Sequence, residues 1–123
     1  MRVDGEGKGG ENKGEMGLKK LIERTKKISR RFPRQWKKGT RFVDLVEEVG
    51  ELANAILVEE GEKPKRVLHK GNSVADALCD LLFDVFLLAE EYGLDLEEEY
   101  VKMLERLEER LAEGEFEEEK DGV

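Results

Sequence analysis

The sequence is poor in the residues that build covalent cross-links and zinc sites. Among 123 residues it has one cysteine, Cys79, and one histidine, His69. A single cysteine excludes a disulfide framework and a thiolate zinc site within one chain. Cys79 lies in an apolar stretch, so we expect it to be a small buried side chain. His69 lies in a connection, where we expect an ordinary surface residue.

Long apolar runs and alternating strand patterns are also missing. No run reaches the length that spans a bilayer, and the N-terminus lacks the apolar core of a signal peptide. We therefore expect a soluble, cytoplasmic protein with no membrane partner. Because the apolar residues recur at helical spacing and none alternates convincingly, the predicted fold class is all-α, a four-helix bundle-like domain.

The ends of the chain differ in composition from its middle. Glycine and charged residues crowd the first 16 residues, where Val3 is the one aliphatic side chain between Arg2 and Glu15. Such a segment buries too little apolar surface to offset its ordering entropy. We predict a disordered tail over residues 1–16, one folded domain over 17–114 and an acidic tail over 115–123.

Two predicted helices lie before the central connection. Pro33 ends the first, whose apolar stripe is Leu18, Leu21, Ile22 and Ile28. Thr40 is the predicted N-cap of the second, which runs to about Glu60. Its predicted core-facing stripe, in a sector about 120° wide, comprises Phe42, Leu45, Val46, Val49, Leu52, Ala53 and Ile56.

Two more helices follow. From Val74 to Ala89 every residue is apolar except Asp76, Asp80 and Asp84. A helix that is apolar nearly all round is buried on most sides, so we expect subunit contacts and a homodimer or homotetramer. Gly93 ends this helix and Asp95 caps the next. The fourth apolar stripe comprises Leu96, Tyr100, Met103, Leu104, Leu107 and Leu111.

Carboxylates accompany two of the apolar stripes. Asp76, Asp80 and Asp84 repeat every four residues and therefore share one helix face. On the second helix, the segment "LVEEVGELANAI" carries Glu48 and Glu51 at the border of its stripe. If the two helices pack antiparallel, Glu51 lies level with Asp80 or Leu81, and Glu48 with Asp84. Converging carboxylates repel unless a cation separates them, and oxygen ligands suit Mg²⁺ or Mn²⁺.

The two acidic segments have a recognisable order. "EEVGELANAI", followed about 25 residues later by "DALCDLLFDVFLLA", resembles the all-α nucleoside triphosphate pyrophosphohydrolases of the MazG-like superfamily. Their pattern is E-E-x-x-E and then E-x-x-D. The resemblance implies Mg²⁺-dependent hydrolysis of a nucleoside triphosphate to the monophosphate and pyrophosphate, by attack of water at the α-phosphorus.

Site residues follow from the same resemblance. Glu48, Glu51 and Asp80 match metal ligands, and Glu47 matches the leading glutamate, a candidate catalytic residue for water activation. The first acid of E-x-x-D falls on Ala77, so Asp76, one residue earlier, is the expected substitute, and Asp84 is a further possible ligand. For the substrate, Trp36 is a candidate for stacking on a nucleobase, and Lys38 and Arg41 for contacting phosphates.

Other functions fit parts of the pattern. A phosphoribosyl-ATP pyrophosphohydrolase resembles this family in fold and acidic motifs, and a non-catalytic helical metal-binding or interaction module would keep the same fold. Eleven Lys or Arg and one acid lie between Leu18 and Arg41, although the formal net charge is −8. This basic segment could contact nucleic acid, but it lacks the aromatic residues and glycine-rich loops that usually accompany such binding. The loop bases Lys63, Lys65, Arg66 and Lys70 are alternative phosphate contacts.

Overall fold

Four helices make up the described part of the chain. In the computed structural model, residues 17–64 and 73–116 are described. They form α1 (Leu18–Arg30), α2 (Lys38–Glu59), α3 (Val74–Glu91) and α4 (Leu96–Ala112). Within these two ranges there is no strand, and no helix is long and apolar enough to cross a membrane. The all-α prediction is confirmed.

Several predictions fall outside the described residues. These are the disordered tail at 1–16, the surface role of His69, the phosphate contacts of Lys65, Arg66 and Lys70, and the tail beyond Phe116. At its described start, the predicted acidic tail contacts α4, because Glu115 pairs with the guanidinium of Arg110 and that guanidinium lies 5.0 Å from the ring centroid of Phe116.

Side-chain caps and a glycine set the limits of α3 and α4. The Ser73 hydroxyl accepts a hydrogen bond from the Asp76 amide at 3.0 Å, and Asp95 Oδ1 accepts one from the Glu98 amide at 3.1 Å. Gly93 has a φ of 67°, in the left-handed region that favours glycine after a helix. The predicted stop at Gly93 and cap at Asp95 are confirmed.

The predicted N-cap of α2 is wrong. The helix begins at Lys38, two residues before Thr40, and its N-cap is Lys37, which makes no capping hydrogen bond with its side chain. Lys37 is extended, with φ −77° and ψ 164°. The polar side chain of Thr40 suggested a cap, but the backbone already turns helical before it.

Helices α2 and α3 form the central pair. Arg41, near the start of α2, contacts Asp84 and Glu91 in the second half of α3. Further along α2, Glu48 lies close enough to the earlier residue Asp80 for their charges to interact. Because the order of contacts reverses between the two helices, they run antiparallel, as the sequence predicts.

Helix α1 also packs against α3. Its Lys26 pairs with Glu90 at 3.1 Å. Beyond its end, Phe32 stacks on Phe83 with a centroid separation of 6.2 Å and an interplanar angle of 18°. At its start, the Lys19 amide donates to Glu97 at the beginning of α4. These contacts hold α1 antiparallel to α3 and bring the segment after α1 beside the α2–α3 pair.

The face that α2 turns towards α3 differs from the predicted one. Buried or half-buried on α2 are Arg41, Asp44, Leu45, Glu48, Leu52, Asn54, Ala55 and Val58. Most of the predicted stripe is exposed, namely Phe42, Val46, Val49, Ala53 and Ile56, which we call the exposed stripe of α2. Periodicity located an apolar stripe correctly but did not identify what covers it. Within one chain, nothing described covers most of this stripe.

Other apolar surfaces are also exposed in the single chain. Cys79 is exposed, which corrects the prediction of a buried thiol, and its neighbours Leu78 and Leu82 on α3 are exposed as well. Helix α4 has no buried residue. Its exposed apolar face comprises Tyr100, Met103, Leu104, Leu107 and Leu111.

Candidate functional site

An open cleft lies between the α2–α3 pair and the segment that follows α1. Its volume is about 530 Å³, within the range of about 300–1,000 Å³ that is common for small-molecule sites. One wall is apolar and aromatic, formed by Phe32, Pro33, Trp36 and Phe83. The same lining includes the acids Asp44, Glu48, Asp80 and Asp84, which we call the acidic wall. Two very different surfaces therefore face the same space.

Glu48 lies where the negative charges of the cleft meet. Partial burial raises the pKa of its carboxyl group. Four neighbouring carboxylates raise it further, in the order Asp80, Asp44, Glu51 and Glu47. Its Oε1 atom is buried and has no hydrogen-bond partner. An ionised carboxylate in this position needs a cation that the described side chains do not provide to that oxygen.

Asp84 is the most buried acid of the site, with a relative exposure of 2%. Its Oδ1 accepts a hydrogen bond from Arg41 Nη1 at 3.0 Å, whereas its Oδ2 is buried without a partner. Burial and the neighbouring carboxyl group of Asp44 raise the pKa of Asp84 to about 7, and Arg41 opposes the rise. One guanidinium therefore compensates only part of the negative charge at this point.

Arg41 links the acidic and aromatic walls of the cleft. Its guanidinium carbon lies 4.9 Å from the centroid of the Trp36 ring, a distance suited to a cation–π interaction. Its Nε lies 3.9 Å from Glu91 Oε2, and the residue is buried. Arg41, a candidate phosphate ligand, contacts both Asp84 and Trp36 in the structure.

Not all predicted ligands line the cleft. Glu48, Asp80 and Asp84 do, and Glu51 and Glu47 are exposed neighbours whose charges reach Glu48. Asp76 is exposed in the first turn of α3 and is not among the residues that line the cleft. Ala77, where the family pattern has its first α3 acid, is fully buried. Of the predicted substrate contacts, Trp36 and Arg41 line the cleft, and the side chain of Lys38 is outside what the structure describes.

Asp44 is the site residue that the sequence analysis missed. Its carboxylate lies with those of Glu48 and Asp84 in a group whose oxygens are within 4.8 Å of one another. The signal was present, because Asp44 precedes Glu48 by four residues and so lies one turn away on the same helix face. The predicted level of Glu48 with Asp84 is confirmed by this group.

The donor set of the site fits a hard divalent cation. Every candidate ligand offers carboxylate oxygen, and the described residues that line the cleft include no histidine or cysteine. Oxygen-only sites suit Mg²⁺ and Mn²⁺. The partnerless Glu48 oxygen and the repulsion among its neighbours are the features that a bound cation would satisfy. A molecule with a flat ring at one end and an anionic chain at the other could then contact the aromatic wall with its ring and the cation with its chain.

Comparisons with known proteins give a family match. The family model described as the MazG nucleotide pyrophosphohydrolase domain matches residues 40–113. An uncharacterized protein of Bacillus subtilis (strain 168), YpjD, is 31% identical over 81 residues, which cover 62% of this chain and 73% of that protein. No solved structure was found to match. The matched region contains α3, α4 and nearly all of α2, and with them every acid of the cleft.

The buried pair of Arg41 and Asp84 makes a stability prediction. Arg41→Met leaves Asp84 without its donor and should lower the free energy of unfolding by about 3 kcal/mol. In an Asp84→Asn background, Arg41→Met should lower the free energy of unfolding by only about 1 kcal/mol, because the buried side chain at position 84 is then uncharged. Urea unfolding of the four proteins of this cycle, in EDTA, measures the coupling. A coupling below about 0.5 kcal/mol would show that the pair does not act as a unit.

Proposed function

Because this chain belongs to the family of MazG nucleotide pyrophosphohydrolase domains, we propose that it hydrolyses a nucleoside triphosphate to the monophosphate and pyrophosphate. The substrate is a ribo- or deoxyribonucleoside triphosphate, and the cofactor is Mg²⁺, which Mn²⁺ can replace. One observation carries the proposal: acids from two facing helices and an aromatic wall line the same cleft of about 530 Å³.

The aromatic wall supplies the surface for the nucleobase. Trp36 is 39% exposed, so part of its ring is open to the cleft while Arg41 covers another part. Phe32 and Phe83 stack on each other and extend the wall. Stacking on aromatic rings tolerates any base, so the wall explains affinity for a nucleobase without fixing which one is bound.

The acidic wall supplies the metal site. We assign Glu48, Glu51 and Asp80 as the residues that hold the ion. Glu51 does not line the cleft, but its charge acts on Glu48. Asp76 stays a prediction from sequence. Bound there, a divalent ion would neutralise charge on the triphosphate and on the departing pyrophosphate. Without such an ion, the carboxylates that surround Glu48 would repel a triphosphate.

The reaction needs a base close to the acids but not buried among them. Glu47 is exposed and adjacent to Glu48, and we assign it to take a proton from the attacking water. The water oxygen bonds to the α-phosphorus, and the bond from that phosphorus to the oxygen bridging to the β-phosphate breaks. Pyrophosphate leaves with the bridging oxygen.

A second copy of the chain is the proposed partner. Helix α4 has no buried residue, and no described residue covers most of the exposed stripe of α2 or the apolar face of α4. A small domain with so little core gains stability by burying such surfaces between copies. We propose a homodimer or homotetramer in which these faces are covered.

The activity is tested with the full chain and a panel of nucleotides. With Mg²⁺ or Mn²⁺, we expect pyrophosphate release from at least one of the canonical or damaged NTPs and dNTPs. Glu51→Gln should lower the rate by about tenfold or more, because it removes a metal ligand. It should also abolish most of the rise in melting temperature that Mg²⁺ gives the wild type by linkage.

Glu105→Gln is the matched control, since it removes one exposed carboxylate from α4, outside the cleft. An unchanged metal-induced rise in Glu51→Gln would remove Glu51 from the site. Release from phosphoribosyl-ATP alone would identify the alternative substrate. Metal binding without turnover of any member of the panel would contradict the proposed reaction and favour an interaction module.

The assembly is tested by light scattering. At micromolar concentration, we expect a mass of at least twice the 14.1 kDa of one chain. Leu107→Glu places a charge on the apolar face of α4 and should shift the mass towards the monomer, whereas Glu105→Gln, on the other side of α4, should leave it unchanged. A wild type that scatters as a monomer would contradict the proposed assembly.

A further inference from the structure

The chain segment that carries Trp36 is anchored to the rest of the fold. The side-chain amide of Gln35 donates to the carbonyl oxygens of Phe32 at 2.9 Å and Ser29 at 3.3 Å, which closes the turn after α1. Phe32 in turn stacks on Phe83 of α3, and α2 begins two residues after Trp36. These contacts position the backbone of Trp36, but they do not set the two side-chain torsion angles that orient its ring.

Arg41 contacts the ring of Trp36 directly. Its guanidinium carbon lies 4.9 Å from the ring centroid, which is within the distance of about 6 Å for a cation–π interaction. Both side chains line the cleft. Because Arg41 is buried whereas Trp36 is 39% exposed, the face of the ring that Arg41 covers is the inner one. The outer face is left for a flat molecule to stack on.

The guanidinium of Arg41 is held by acids of α3. Its Nη1 donates to Asp84 Oδ1 at 3.0 Å, its Nε lies 3.9 Å from Glu91 Oε2, and the side chain is 10% exposed. A phosphate that approached this group would meet two carboxylates before it met the charge of Arg41. The planar, hydrogen-bonded guanidinium is therefore better placed to support a neighbouring ring than to bind an anion.

We propose that Arg41 is a positioning residue, which holds the ring of Trp36 so that the outer face of the ring receives the nucleobase of the substrate. This role deepens the proposed function and rests on it for the class of ligand. Stacking on a ring that is already in place costs less ordering entropy than stacking on a mobile one. Without Arg41 the ring would occupy the binding position for only part of the time, and the apparent affinity for the base would fall by that fraction.

The fluorescence of Trp36 tests this role in the full chain, because the sequence has one tryptophan. In EDTA and without nucleotide, Arg41→Met should raise the acrylamide quenching constant by about twofold or more and lower the anisotropy, because the ring loses its inner contact. Adenosine, guanosine, cytidine and uridine are then titrated by the same signal. For those that bind the wild type, the affinity should fall by about fivefold.

A second pair of variants separates this role from stability. Asp84→Asn removes the buried charge that Arg41→Met would leave unpaired. Asp84→Asn with and without Arg41→Met therefore compares the ring with and without its guanidinium, and both fluorescence effects should recur in this pair. Arg24→Met removes an exposed guanidinium from α1, outside the residues that line the cleft, and should leave both signals at their wild-type values. Circular dichroism checks that each variant is folded.

Turnover gives an independent signature. With a triphosphate that the wild type hydrolyses, Arg41→Met should raise KM by about fivefold and change kcat by less than about twofold, as expected when binding is lost equally before and in the transition state. A fall in kcat with KM unchanged would contradict a role in holding the base.

The nucleosides carry no phosphate and need no metal, so they keep this test apart from the proposed reaction. Quenching of Trp36 that is unchanged in Arg41→Met, or a wild type that binds none of the four nucleosides, would overturn the positioning role. Unchanged nucleoside affinity with weaker binding of inorganic tripolyphosphate and Mg²⁺ would also overturn it and make Arg41 a phosphate ligand. A chain that hydrolyses no triphosphate, but whose nucleoside affinity depends on Arg41, would contradict the proposed reaction and support the positioning role.

Discussion

Electrostatic repulsion between carboxylates on two facing helices is the constraint on which the rest of the site depends. Packing α2 against α3 brings Asp44, Glu48, Asp80 and Asp84 to one wall of a cleft. Buried charges of one sign are costly unless they are paired. Among the described residues, Arg41 is the buried base beside these acids, and it pairs with Asp84. Glu48 is left with a raised pKa and an oxygen without a donor.

The geometry of the cleft connects that constraint to a function. Arg41 contacts both Asp84 and Trp36, so the residue that fixes the acidic wall also fixes part of the aromatic wall. A nucleoside triphosphate has a flat base at one end and a chain of negative charge at the other. A cation held by the acids would bind the second end while the aromatic wall contacts the first. The chain belongs to the family of MazG nucleotide pyrophosphohydrolase domains, whose substrates are nucleotides.

Much of the fold was predictable from local sequence. Helix limits follow from caps and breakers such as Asp95 and Gly93, whose effects act within one turn. The level of Glu48 with Asp84 followed from counting residues across an antiparallel pair. Thr40 misled the prediction because a good capping side chain does not require the chain to use it as a cap.

What failed depends on contacts between residues far apart in sequence. The sequence offered Arg41 as a candidate phosphate contact, and its burial could not be predicted because its partner Asp84 is 43 residues away. Phe42 and Val46 look like core residues, but α2 turns a different face towards α3, one that includes the polar residues Asp44 and Glu48. Apolar periodicity cannot distinguish a stripe covered by the same chain from one that a second copy would cover. Asp44 was missed for a related reason. Its carboxylate joins the site only because the fold brings Asp84 of α3 close to it.

The central claim, that these carboxylates gather around divalent cations in a nucleotide cleft, is tested most directly by crystallography with Mn²⁺ and a non-hydrolysable nucleoside triphosphate analogue. The account predicts anomalous scattering from Mn²⁺ at a position where Glu48 is a ligand, with the base of the analogue against Trp36. Mn²⁺ bound away from Glu48, or an analogue bound outside the cleft, would contradict it.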